Sequence, residues 1–191
     1  QPQHQRAGAG IVGNVRRGVL DLGHDLVEIL LRLKVQPHLV KEESDIDKAF
    51  DKLGSNNLYM EKFFPFIKEL AVVSARGTDG EIVTYPVVET VHKNNICHIV
   101  RSPAQVDKKV DTNARLLAEK VLASLGGVGV FAIEMFLSSD DEVVVNEIAP
   151  RVHNSGHHTI EAFTMSQFEA HIRAITGMPL VAPAEKSRHA V

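Results

Sequence analysis

The spacing of apolar residues along the chain changes several times, and each change marks an element. In "DTNARLLAEKVLASLGG" the residues Ala114, Leu117, Ala118, Val121, Leu122 and Leu125 recur at helical intervals, and Gly126 supplies the stop. "SDIDKAFDKLG" repeats the pattern on a smaller scale. Ser44 suits the N-cap, Ile46, Ala49, Phe50 and Leu53 share a face, and Gly54 ends the helix. "SQFEAHIRAITG" reads as another helix, closed by Gly177 and Pro179. Between these helices the period shortens. "ELAVVSARG" and "EIVTYPVVET" are strands around the turn signal "TDG" and predict a hairpin. "GVFAIEMFL" and "EVVVNEIA" are strands around "SSDD", "HLVK" is a short strand, and "LYMEKFFPF" is an apolar run broken at Pro65. Helices mixed with antiparallel hairpins predict an α+β fold.

Residues 1–38 follow no such order. "QPQHQ" has the composition of a disordered segment. "GAGIVG", Gly8 to Gly13, matches G-x-G-x-x-G, but a polar Gln/His stretch precedes it where a strand is required. A flexible glycine-rich loop is expected there. "VLDLGHDLVEILLRLK" has amphipathic spacing and predicts a helix that Pro37 stops.

The last hairpin carries the first chemical signal. With Asp140 and Asp141 as its two central turn residues, antiparallel pairing sets Glu134 directly opposite Glu147. Phe136, Val145 and Ala132 then share that face. Directly opposed residues have Cβ atoms roughly 5 Å apart. Two acids that close on a mostly apolar face repel each other and lose hydration. Protonating one of them relieves this, and so does a cation held between them. Mg²⁺ favours oxygen ligands, commonly a couple of carboxylates completed by phosphates. The bland alternatives are a slipped register or a hydrated pair at the sheet edge.

Glu147 runs directly into "APRVHNSGHH". Arg151 offers a planar fork for phosphate or carboxylate. Asn154 and Ser155 add short polar groups, and Gly156 lets backbone approach a ligand closely. His157 and His158 are adjacent and cannot both point into one site from an extended segment, so at least one belongs to the surface or to packing. The combination reads as a metal-held phosphate site beside an anion-reading loop.

Composition narrows the classes. The chain has 191 residues, 44% hydrophobic and 24% charged, which is the usual mixture for one globular domain with a real core. A formal net charge of −3 offers no broad basic surface for nucleic acid. A single cysteine, Cys97, allows no intrachain disulfide and no cysteine zinc site. No apolar run reaches membrane-spanning length. The opening "QPQHQRAGAG" has neither an initiator Met nor an apolar signal core, so an incomplete N-terminus is expected.

Four stretches together resemble one enzyme family. They are "YMEKFFPFIKELAVV", "YPVVETVHKNNICHIVRSPA", "GVFAIEMFL" and "NEIAPRVHNSGHHTIEAFTMSQFEAHIRAITGMPL". The family is the ATP-grasp 5-(carboxyamino)imidazole ribonucleotide synthases of purine biosynthesis, the ATPase component of phosphoribosylaminoimidazole carboxylase. Plant and fungal forms are fused to a mutase domain. The similarity covers residues 39–180, and "RVHNSGHHT" with the following "SQFE" helix is its most specific part. The expected organisation is an unassigned segment 1–38, a partial ATP-grasp domain 39–180 and a tail 181–191.

The resemblance implies a reaction. ATP phosphorylates bicarbonate, and the carboxyphosphate formed carboxylates aminoimidazole ribonucleotide. It also implies Mg²⁺ or Mn²⁺, small-molecule substrates without nucleic acid or membrane, a homodimer in full-length members, and a cytoplasmic setting, or a plastid in a plant. By motif, Glu61, Lys62, Phe63 and Phe64 match the hinge that holds adenine. Glu69 matches the ribose acid, and His92 and Asn146 match nucleotide-site residues. Glu134 and Glu147 match the metal ligands, with Glu147 also facing the nucleotide. Arg151, His153, Asn154 and Ser155 match the loop near bicarbonate and the imidazole ribonucleotide. Each has a plainer reading: core for the phenylalanines, solvated surface for Lys62, an edge guard for Glu69, packing for His92.

The departures carry weight too. The family's glycine-rich first lobe, the glycine loop of its lid and its C-terminal lobe have no counterpart here, and residues 1–38 align with nothing in it. A truncated synthase with reduced or no activity alone is therefore expected. The alternatives are an inactive nucleotide- or partner-binding remnant and a different ATP-grasp ligase.

Overall fold

The computed structural model describes residues 11–15, 29–33, 36–40, 44–53, 58–93 and 96–191. It divides into a first unit that ends at Pro65 and a second that runs Phe66–Val191.

The first unit holds β1 (Ile11–Val15), β2 (Ile29–Leu33), β3 (Gln36–Val40), α1 (Ser44–Leu53) and β4 (Leu58–Lys62). Its strands form an antiparallel sheet in the order β1-β4-β2-β3. Helix α1 appears where its pattern predicts, with Ala49 and Phe50 buried. Two expectations fail here. Ile11 to Gly13, read as the end of a loop, lie in β1. The stretch read as an amphipathic helix contains β2 instead, paired on both sides, Ile29 with Val40 and with Lys62. A short apolar run such as "ILLRL" fits either period, and partners distant in sequence decided it. Pro37 sits in the edge strand β3, where a missing N–H is tolerated. Gln1 to Gln5, Gly8 to Gly10 and residues 19–28 of the expected helix lie outside the described residues.

The second unit is built on β5 (Lys68–Arg76), β6 (Ile82–Thr84), β7 (Val88–Lys93), β8 (Ile96–Arg101), β9 (Gly129–Leu137) and β10 (Val143–Ala149). The antiparallel order is β10-β9-β5-β7-β8, with β6 also on β5. The expected hairpin around Thr78–Gly80 forms, but its second arm is two strands, β6 and β7, with Pro86 between them. Proline offers no N–H to continue the ladder.

Helices lie on both faces of this sheet. α2 (Lys108–Leu125) buries Val110, Ala114, Ala118 and Leu122 with Leu70, Val72, Ile133 and Met135. It starts one turn before the expected Asp111, and Leu125, assigned to its apolar face, is 53% exposed. The chain leaves the helix there through Gly126 at φ 66°. A 3₁₀ turn (Asn154–Gly156), α3 (Thr159–Ala162) and α4 (Gln167–Thr176) follow β10. α4 covers the other face with Ala170 and Ala174, against Val73, Ala75, Val130 and Ala132. Its N-cap is Ser166, which accepts from Glu169 N–H at 3.2 Å. Tyr85 closes this core by donating its hydroxyl to Met165 O at 2.9 Å, and burial, with Glu169 nearby, drives its phenol well above the ordinary range. At ten residues α4 is about 15 Å long. The carboxylates described next lie further along the same sheet face.

Candidate functional site

Pairing on β5, β9 and β10 brings three glutamates to one face. Glu69 is opposite Phe136, Ala71 is opposite Glu134, and Glu134 is opposite Glu147. Glu69 is also opposite Thr90, which puts His92, two residues on, on that face as well. His92 Nδ1 is hydrogen-bonded to Glu69 Oε2, and both side chains are largely withdrawn from solvent. Phe66 stacks on Phe136 beside them, with ring centroids 4.2 Å apart.

The predicted opposition of Glu134 and Glu147 holds, by a different route from the one expected. The turn is not two residues long. Ser138 N–H donates to Glu142 O at 2.9 Å, and Asp141 takes φ 61°, so three residues span the loop. That slip pairs Phe136 with Val144 and Val145 with Met135, and the expected sharing of a face by Phe136 and Val145 fails. A bulge between Val145 and Glu147 then takes up one extra residue, Asn146, and restores Glu147 to Glu134. Bulges of this kind re-aim side chains next to sites. Asn146 Oδ1 is buried without a hydrogen-bond partner in the structure.

The loop after β10 turns back onto this face, and its 3₁₀ turn touches β5 and β8. Arg151 and Asn154 are exposed, whereas Ser155 is fully buried. His153 caps the turn. Its Nδ1 accepts from Ser155 N–H at 3.4 Å and lies 3.0 Å from Ser155 Oγ. Its Nε2 lies 3.4 Å from Glu134 Oε1. Burial holds the His153 imidazole below its usual value. Arg151, His92 and His157 push the same way, against Glu147. The ring is therefore neutral at neutral pH. With Nδ1 accepting, its proton sits on Nε2, facing the Glu134 carboxylate. This makes the pair a polar contact rather than a full ion pair.

The other two histidines separate as their adjacency requires. His157 is exposed and stacks on Phe168, while His158 packs edge-on against Phe163. Glu61, Lys62, Phe63 and Phe64 belong to the first unit, Glu61 and Lys62 at the end of β4 and Phe63 buried. Glu69 is not an edge charge, because β5 pairs along both sides.

The sequence reading missed three polar features. Lys68 and Arg101 both reach Glu89, at 2.6 and 2.8 Å, on the opposite sheet face from Glu69. The bulge at Asn146 left no signal in the alternation. Gln167 and Thr159, both fully buried, tie α4 to the loop. The sequence marked only a helix opening with "SQFE" there, not a polar contact.

The donor set suits a hard cation. Two opposed carboxylates and an unpartnered amide oxygen are oxygen donors, the kind Mg²⁺ and Mn²⁺ take. Among the described residues, no group of three His, Cys, Asp or Glu side chains is arranged to hold a metal. The pair therefore fits an ion that draws most of its oxygens from phosphate and water.

Comparison with known proteins adds the family. The sequence pattern of the ATP-grasp domain matches residues 37–168. The chain belongs to the ATP-grasp family. Within that family it is similar to phosphoribosylaminoimidazole carboxylase of Ogataea methanolica, with 52% identity over 142 residues, covering 74% of this chain and 26% of the relative. It is also similar to N5-carboxyaminoimidazole ribonucleotide synthase of Bacillus subtilis, with 44% identity over 142 residues, 74% of this chain and 37% of that one. A solved structure of N5-carboxyaminoimidazole synthase from Aspergillus clavatus, in complex with ADP and 5-aminoimidazole ribonucleotide, matches with a TM-score of 0.78 at 43% identity. That match covers 81% of this ATP-grasp chain and 42% of the solved one. The chain thus spans about a quarter to two-fifths of the relatives it matches.

Proposed function

We propose that this chain is the metal- and nucleotide-holding part of an N5-carboxyaminoimidazole ribonucleotide synthase of purine biosynthesis. ATP and bicarbonate give carboxyphosphate and ADP. The exocyclic amine of 5-aminoimidazole ribonucleotide then takes the carboxyl group and releases phosphate. Similarity to synthases of this reaction supports the reading. The observation that carries it is the direct opposition of Glu134 and Glu147, with neutral His153 beside them.

In this reading Glu134 and Glu147 hold Mg²⁺ or Mn²⁺, which neutralises phosphate charge when bound. The protein's own contribution is geometric and electrostatic. The bulge brings Asn146 and Glu147 together opposite Glu134, where the nucleotide phosphates arrive. Glu69 takes the ribose, its carboxylate oriented by His92. Glu61, Lys62, Phe63 and Phe64 serve adenine. Arg151, His153, Asn154 and Ser155 serve bicarbonate and the imidazole ribonucleotide. His153 keeps its proton on Nε2 and so offers a hydrogen bond without a full positive charge. Arg151 supplies that charge from solvent. Little acid–base chemistry is required, because positioning and charge stabilisation dominate phosphoryl transfer.

The test is ADP release from Mg·ATP with and without bicarbonate and 5-aminoimidazole ribonucleotide. Release that needs both acceptors supports the proposal. ATP binding without that dependence contradicts it and leaves a nucleotide-binding remnant. ADP release to another acyl acceptor points instead to a different ATP-grasp ligase.

A further inference from the structure

Gln167 is the first residue of α4 and is fully buried. Its Nε2 donates to His153 O at 2.8 Å, and its Oε1 accepts from His153 N–H at 3.0 Å. Its own backbone N–H donates to Thr159 Oγ1 at 2.9 Å, and that hydroxyl donates to Gly156 O at 2.5 Å. Three main-chain groups of one loop are thus tied to one helix start. Gly156 leaves the room this needs, because a Cβ there would overlap the Gln167 amide.

Packing alone does not account for an amide at this place. A buried amide costs stability unless its hydrogen bonds are made, and an apolar side chain of similar volume would leave His153 N–H and C=O without these partners. Here both halves of the amide are used, and both on one residue. Holding His153 N–H and C=O together fixes the backbone on either side of its Cα. That fixes where the ring leaves the loop, which decides that Nδ1 meets Ser155 N–H and Nε2 meets Glu134.

We infer that Gln167 is a positioning residue that acts through the main chain of His153 to set which imidazole nitrogen faces Glu134. It thereby orients the loop from Arg151 to Ser155 toward the carboxyl-accepting substrates. The second half of the inference rests on the proposed function, and the first does not.

The experiment uses the whole chain with Gln167→Met, which keeps volume and removes both bonds, and Gln167→Glu, which keeps the acceptor for His153 N–H. Circular dichroism and melting report the fold. Two-bond ¹H–¹⁵N spectra at neutral pH report the His153 tautomer. Calorimetry reports Mg·ATP, and then 5-aminoimidazole ribonucleotide in the presence of Mg·ADP. Wild type shows one tautomer, protonated at Nε2. Gln167→Met loses that single-tautomer signature, and Gln167→Glu retains more of it. Losing the two bonds weakens the ribonucleotide about tenfold and Mg·ATP less, through the His153 contact with Glu134. A Met variant that keeps the wild-type tautomer overturns the inference. So does equal weakening of both ligands in step with lost melting temperature, which marks a merely structural role. If Gln167→Met does not fold, Gln167→Glu decides by the same tautomer readout. A wild-type chain that binds neither ligand contradicts the proposed function instead, and the tautomer comparison still decides the role of Gln167.

Discussion

His158 shows how one side chain sets a pH dependence. Both its ring nitrogens are buried, and its ring packs edge-on against Phe163, 5.6 Å between centroids. Burial lowers its pKa, against a weaker opposing pull from the Ser155 backbone. The unfolded chain takes up a proton near pH 6.5, and the folded chain only below that. The unfolded state therefore binds more protons in the window between the two values. The stabilisation is complete above about pH 6.5 and is lost as pH falls through the lowered, folded value. His153 is shifted the same way and adds to the slope. Melting temperatures measured from about pH 7.5 to pH 5 should fall, and His158→Phe should flatten the curve without abolishing it. An unchanged slope in the variant would show that the ring titrates alike in the folded and unfolded chains.

At the scale of elements, the bulge in β10 is the part with most consequence. Without it, Asn146 would face Glu134 and Glu147 would move to the other sheet face. Deleting Asn146 leaves Glu147 opposite Glu134 in a regular ladder. The deletion variant should fold with equal or higher melting temperature yet bind Mg·ATP at least about tenfold more weakly, because the amide and the local twist are gone. Retained affinity in a folded variant would mean that the bulge serves only the turn. Such features also explain what was legible in the sequence. Helices α1, α2 and α4 and the hairpin strands were readable because their periodic runs are long, and α2 and α4 end at the glycines Gly126 and Gly177. Asn146 and Asp141 were not. A three-residue loop and a one-residue bulge cancel, so alternation counted from a two-residue turn reached the right glutamate pair and misplaced only Val145 among its neighbours. β2 was misread because its five residues fit either period, and its partners lie elsewhere in the chain. Gln167 was hidden because its hydrogen-bond partners are main-chain groups, which leave no mark in side-chain patterns.

At the scale of the molecule, the sheet of the second unit divides its labour along one face. One half is sealed by α4 through Val73, Ala75, Val130 and Ala132. The other half carries Glu69, His92, Glu134 and Glu147, with the His153 loop folded onto it. The central claim is that Glu134 and Glu147 act together on one divalent ion. Its most direct test is a calorimetric double-mutant cycle for Mg·ATP, using wild type, Glu134→Gln, Glu147→Gln and the double variant. Two ligands of one ion should be strongly non-additive: either single change weakens binding more than roughly tenfold, and the second adds little. Unchanged affinity in either single variant, or simple addition of two small losses, would contradict the account.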